Sequence, residues 1–343
     1  MLKLFPILFA ILLHSTFAIA QDDFGFEQVV SFDAGDLIWY MAWSPTDEIL
    51  AIATLEEILL WNTESDEVVH LRERYRGNVS FAWNPDGTLL ASNGGCLEAD
   101  EYGYCRGGAG LIHIWNVRTN QIAHTLEFPE GLASALIWTP DGSQLISVQS
   151  DNSIRFWDTD TWLESDVWEI VADRIEMITL NPDGNLLAVA ETQTERESQV
   201  SVYNIATGQM VMALGDEYDF TSWIQVLAWS PADDFIVGGI TEIASRGYLT
   251  IWDRTTSDIV NTLPFAHVIA FSPNGEFLAT TIKPNDLGEG DETDIRIWDM
   301  AGNIAATLEG HIGPVLALDW SPDGAILASG GQDNTVRLWE VSR

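Results

Sequence analysis

Cys96 and Cys105 are the only thiols in this 343-residue chain. They bracket eight residues in GGCLEADEYGYCRGG (94–108), a stretch that also carries three carboxylates, Tyr102, Tyr104 and Arg106. Three chemistries use paired thiols. A redox pair of the Cys-x-x-Cys kind needs two intervening residues in a βαβ setting, and neither condition is met. A zinc site needs further nitrogen or sulfur ligands, yet no histidine stands nearby and carboxylate oxygens match thiolates poorly. The third is a disulfide, which requires an oxidising compartment.

The first residues speak to compartment. MLKLFPILFAILLHSTFAIAQDD opens with one Lys, runs through an apolar stretch over 4–13, and offers Ala18-Ile19-Ala20 as a small-x-small cleavage signal. That run is short for a membrane span. Residues 1–20 are therefore expected to be a signal peptide. The mature chain is expected to start near Gln21, to be exported to an extracellular or periplasmic space, and not to insert in the membrane after cleavage. There an even pair of cysteines can join and stay joined, so Cys96–Cys105 is the expected disulfide.

Charge narrows the partners. With 15 basic residues against 52 acidic ones the chain carries a net −37, which argues against nucleic acid and anionic lipid as partners. There is no His-Glu-x-x-His pair, no Gly-x-Ser-x-Gly elbow and no phosphate-gripping glycine loop, and the acidic NDLGEGDET (285–293) lacks calcium-loop spacing. No catalytic residue, metal or cofactor is expected.

An internal repeat organises the rest. WSPTDE (43–48), WNPDG (83–87), WTPDG (138–142), LNPDG (180–184), WSPADD (229–234), FSPNG (271–275) and WSPDG (320–324) are seven copies of one turn. Ser, Thr or Asn caps it, Pro presets φ, and Asp and Gly complete it. Each is followed by an apolar run and then a strand ending on an aromatic: LLWN (59–62), IHIWN (112–116), IRFWD (154–158), VSVYN (200–204), LTIWD (249–253), IRIWD (295–299) and VRLWE (336–340). A further short apolar run completes four strands per unit. Eleven of the fifteen tryptophans sit in these two motifs, which predicts core; Trp39, Trp162, Trp168 and Trp223 fall outside and are freer to serve a surface.

Four-stranded units at this period read as blades of a β-propeller. They resemble the Trp-Asp (WD) repeat family over residues 26–343. The last unit matches best, with Gly310-His311, WSPDG and VRLWE. The resemblance implies a buried hydrogen-bonded tetrad of His311, Ser329, Asp333 and Trp339. The third unit keeps Asp151 and Trp157 without the His, and the fourth has Tyr203 in place of Trp. The expected fold is all-β: a single seven-bladed propeller of four-stranded antiparallel blades over 21–343. The last unit lacks a fourth strand, so FEQVVSF (26–32) is expected to close the ring beside it.

The distance from turn proline to strand aromatic is 16, 30, 17, 21, 21, 25 and 17 residues in the seven units. The turn hardly varies, so the extra length is predicted in loops between second and third strands: 92–110, 191–199, 241–247 and 281–293. All would emerge at one end. Arg72, Arg74 and Arg76 in HLRERYRG belong to the same end and, with Arg106, Tyr102 and Tyr104, form the candidate partner-binding spot. The resemblance implies a non-catalytic protein-interaction platform for a protein or peptide, and a monomer is expected. The alternative is a propeller hydrolase, lyase or carbohydrate binder with its site at the mouth of the central channel.

A ten-residue disulfide loop contributes roughly 2.5–3 kcal/mol in the chain-entropy description. Replacing Cys96 and Cys105 together by Ser should leave the propeller folded and loosen only this excursion, as read by hydrogen exchange. Two free thiols in the exported protein, found by alkylation and mass measurement, would contradict the pairing.

Overall fold

The computed structural model describes residues 25–342 apart from 56, 73–79, 100–104, 130, 193–197, 215–222, 242–246 and 282–292. The proposed signal peptide therefore lies outside the described residues. Every regular element described is a strand. β1 (Gly25–Asp33) comes first. The first blade is β2 (Tyr40–Trp43), β3 (Ile49–Ala53), β4 (Glu57–Asn62) and β5 (Val68–Arg72). The second is β6 (Phe81–Trp83), β7 (Leu89–Ala99), β8 (Cys105–Asn116) and β9 (Gln121–Phe128). The third is β10 (Ala133–Trp138), β11 (Gln144–Gln149), β12 (Ser153–Asp158) and β13 (Leu163–Glu169). The fourth is β14 (Arg174–Leu180), β15 (Leu186–Thr192), β16 (Ser198–Asn204) and β17 (Gln209–Leu214). The fifth is β18 (Trp223–Trp229), β19 (Phe235–Thr241), β20 (Gly247–Asp253) and β21 (Ile259–Pro264). The sixth is β22 (Ile269–Phe271), β23 (Phe277–Thr281), β24 (Ile295–Asp299) and β25 (Ile304–Leu308). The seventh takes β26 (Val315–Trp320), β27 (Ile326–Gly331) and β28 (Thr335–Ser342).

Each blade is an antiparallel meander, and the seventh is completed by β1 in the order β1-β28-β27-β26. The propeller is seven-bladed and closed as expected. β1 runs antiparallel to β28, from Gly25 opposite Ser342 to Asp33 opposite Thr335, with a bulge between Gln28 and Val30. Arg337 Nη1 donates to Gln28 Oε1 at 2.6 Å. Phe26 meets Trp320 edge-on at 6.1 Å, and Phe32 stacks on Trp61 of the first blade at 4.6 Å. One strand thus fastens the last blade and also touches the first.

The turns work as their composition dictates. In the last unit Ser321 Oγ donates to Asp323 Oδ1 at 2.6 Å and accepts the Ile326 amide at 2.9 Å. Gly324, at φ 71°, takes the left-handed position and returns its amide to the Ser321 carbonyl. These bonds hold the Asp323 carboxyl below its ordinary range, the Ser321 hydroxyl contributing most.

Two expectations need correction. Residues 92–110 are not a loop: β7 runs on to Ala99 and β8 begins at Cys105, so the excursion is a long β-hairpin. Its glycines hid the alternation that would have announced strands. Nor do Trp162 and Trp168 stand clear of the blades, although Trp168 still lines a cleft. Trp162 stacks on His124 at 4.6 Å, and Trp168 tilts over Phe156 at 4.6 Å. Trp39 does remain 37% exposed.

Blades pack face to face. Met41, Trp43, Leu50, Ile52 and Trp61 of the first blade share one cluster with Ala317, Ala328, Val336 and Leu338 of the seventh. Similar clusters join the other neighbours, as Phe156 with Val189 and Trp320 with Ile297. Deleting residues 21–33 bares this seam at the seventh blade and leaves β28 an open edge. The melting temperature should fall by on the order of 10 °C, and a calorimetric scan showing no change would refute the closing role of β1.

Candidate functional site

Polar chemistry inside the ring begins with the aromatic third strands. Trp339 Nε1 donates to Ser329 Oγ at 2.8 Å, Ser329 lies 2.8 Å from His311 Nε2, and His311 Nδ1 lies 2.9 Å from Asp333 Oδ2. A carboxylate only accepts, so the His proton sits on Nδ1, and the chain runs Trp to Ser to His to Asp. Burial pushes His311 below its ordinary pKa against the pull of Asp333. Burial also pushes Asp333 upward, but the Ile312 amide, the Thr335 hydroxyl and His311 outweigh it and hold Asp333 low. The pair is thus held as neutral His beside ionised Asp, a structural network.

Shorter versions recur. Trp115 donates to Ser92, Trp157 to Ser147 and Trp298 to Thr280, at 2.9, 2.8 and 2.9 Å. A second set of indoles stitches blade to blade: Trp83, Trp138 and Trp320 donate to the carbonyls of Ala42, Ala82 and Ala270 on the preceding innermost strands. Spacing alone marked these tryptophans as core; it could not reveal their carbonyl partners.

The innermost strands β2, β6, β10, β14, β18, β22 and β26 together line a central channel of about 590 Å³. Its wall is mostly apolar, with Tyr40, Gln225 and His267 among the polar contributors. Asp319 on β26 reaches across the seam and accepts the Trp43 amide at 2.7 Å. Burial raises its carboxyl to about 7, although the Trp43 and Trp320 amides oppose the rise. Burial first, and the Asp319 charge second, push the Tyr40 hydroxyl up to about 12. Tyr40 keeps 44% of its surface accessible and is among the residues that line the channel. Among so many acidic residues, sequence offered no way to single out Asp319.

Of the expected partner-binding residues, the backbone of Arg72 and Arg106 is described, on β5 and β8. Arg72 ends β5, opposite Glu57 in register. Cys96 stands opposite Gly110 and Cys105 opposite Ala99 on the long hairpin. The side chains of Arg72, Cys96, Cys105 and Arg106 lie outside the described residues, as do Arg74, Arg76, Tyr102 and Tyr104 altogether. So do most of the other three excursions, at 193–197, 242–246 and 282–292. Among the described residues no group of three or more His, Cys, Asp or Glu could hold a metal ion.

The family described as WD domain, G-beta repeat matches residues 121–158 and 302–340. Two stretches of this ring are thus similar to WD repeats. The second contains the whole Trp339–Ser329–His311–Asp333 chain. Each matched stretch begins at the outer strand of one blade, β9 or β25, and ends on the third strand of the next. The family described as Eukaryotic translation initiation factor eIF2A matches residues 163–311. Similar curated proteins include WD repeat-containing protein 26 homolog of Arabidopsis thaliana, 22% identical over 90% of this chain and 49% of its own. WD repeat-containing protein slp1 of Schizosaccharomyces pombe is 26% identical over 70% of this chain and 55% of its own. THO complex subunit 3 of Arabidopsis thaliana is 25% identical over 80% of each. This chain spans about half the length of the first two. A chain in the crystal structure of a mitotic checkpoint complex superposes with a TM-score of 0.73 at 18% identity, over 92% of this chain and 95% of that one. That likeness is one of fold.

The raised Asp319 gives a signed pH effect. The folded chain holds this proton up to about 7, whereas the unfolded chain releases it near 3.8. Asp319 therefore removes stability as pH rises through that window, at no more than about 1.4 kcal/mol per pH unit. Asp319→Asn should match the parent below pH 4 and melt progressively higher than it toward pH 7. A gap independent of pH would show that Asp319 is not the titrating group.

Proposed function

We propose that this protein is a non-catalytic interaction platform that binds a protein or peptide through the end of the ring carrying the second-to-third strand excursions. The long β7–β8 hairpin carries the reading: a rigid ring projecting one extended arm is a scaffold for a partner. The mostly apolar channel lining favours this over a channel enzyme. Relatives whose names place them in complexes, THO complex subunit 3 and the checkpoint-complex chain, support it by analogy of fold. The finer reading is that Arg72, Arg74, Arg76 and Arg106 with Tyr102 and Tyr104 make one basic, aromatic spot against an acidic background. That spot suits an acidic segment of a partner. Export after removal of residues 1–20, with residues 21–343 as the mature monomeric propeller and a Cys96–Cys105 bridge in the arm, belongs to the same proposal and rests on the sequence.

Affinity capture from an extracellular or envelope fraction, compared between the parent and a variant with the four arginines changed to Glu and both tyrosines to Ala, tests it. The variant should keep its melting temperature and should lose its captured partners. An identical set of partners on both baits would refute the assignment of the face.

A further inference from the structure

The fourth blade departs from the repeat at two facing positions. In the seventh blade the residue two before the closing aromatic, Arg337, stands opposite Ser329, the hydroxyl that receives the indole N–H. In the fourth blade the same register sets Ser201 opposite Val189. The hydroxyl has become Val189, and the indole has become the smaller ring of Tyr203. Between the third and fourth blades lies a cleft of about 450 Å³, whose lining includes Trp168, Ile170, Glu191, Gln199, Tyr203 and Met210.

Its walls are aromatic. Trp168 and Tyr203 lie 6.0 Å apart with their planes at 46°, and Phe156 backs Trp168 at 4.6 Å. The Trp168 indole nitrogen is already committed to Asp166 at 3.0 Å. Its buried carboxylate is Glu191, only 2% exposed, while Glu169 lines the same cleft as an exposed second one. Glu191 Oε1 accepts from Gln199 Nε2 at 2.7 Å and from Ser201 Oγ at 2.6 Å. Glu191 Oε2 is buried with no hydrogen-bond partner. A buried carboxylate oxygen without a donor is costly, and such orphans point to a missing partner.

The surroundings say which donor fits. Aromatic faces attract a cation and offer nothing to an anion. A bare metal ion would need several hard oxygen ligands, which two aromatic rings do not supply. A guanidinium is best matched by two acceptor oxygens in one plane, and here one of the two is already occupied. An ammonium group needs a single strong acceptor, and its alkyl stem can lie along Ile170 and Met210. We propose that the cleft between the third and fourth blades binds an alkylammonium group, with its N–H donated to Glu191 Oε2 and its charge flanked by Trp168 and Tyr203. The site stands independently of the partner face proposed above.

The probe is n-butylammonium, titrated calorimetrically into the full chain, with n-butanol as the uncharged isostere and a capped Gly-Lys-Gly peptide carrying the same group on a chain. Butylammonium should bind saturably and butanol should not. Glu191→Gln should weaken binding by about tenfold or more. Tyr203→Trp restores the ring other blades carry, so it should keep the fold while closing the cleft and abolishing binding. A peptide tighter than butylammonium would assign the site to a lysine of a partner; a peptide no tighter would assign it to a free amine. Absence of binding at millimolar probe, equal binding of butanol, or binding that Tyr203→Trp leaves intact (the signature of a diffuse acidic surface) would overturn the proposal.

Discussion

Each four-stranded sheet here is apolar on both faces, so each needs a neighbour on both sides, and only a closed ring gives every sheet two. Trp61 and Ile52 on one side of the seam need Leu338 and Val336 on the other, just as Phe156 needs Val189. An open array would leave two bare faces and two unpaired edges, and water would penalise both. Closure is therefore the condition under which all other contacts form, and β1 supplies it from a stretch remote in sequence. The indoles that donate to carbonyls of the preceding blade act within the same constraint, fixing neighbours at one spacing.

The repeated turns and aromatic strands made the ring legible before any coordinates. Ser321, Pro322, Asp323 and Gly324 each have one physical job in a tight turn, and four such residues in order leave little else to propose. The closing strand was legible by subtraction, since one unit had three strands and one strand had no unit. The β7–β8 hairpin was not, because Gly94, Gly95, Gly107, Gly108 and Gly110 interrupt the alternation that marks a strand. The orphaned oxygen of Glu191 was invisible for another reason. Tyr203 was read as a departure from a family pattern, and only the register shows that Val189 departs with it.

Polarity is distributed with the same economy. Among the described residues, most acidic side chains are solvent-facing or tied into turns, where hydroxyls and amides satisfy them, as at Asp86, Asp141 and Asp323. Among the described residues, Asp319 on the innermost strand β26 and Glu191 between blades depart from this. Asp319 sits where the first and sixth blades put Ala42 and Ala270, and the seventh blade has Gly331 where the fourth has Glu191. Departures from the repeat, rather than the repeat itself, are where this chain holds chemistry of its own.

The pairing of β1 with β28 also decides how the molecule would respond to force. Gly25 lies directly opposite Ser342, so tension applied through those two points pulls adjacent rungs apart one at a time instead of shearing the whole ladder at once. A zipper loaded from its open end yields at low force, however stable the closed ring is at rest. The ring therefore combines thermodynamic closure with a mechanically soft latch. A tether at each end of the propeller would open the seventh blade long before it disturbed the other six.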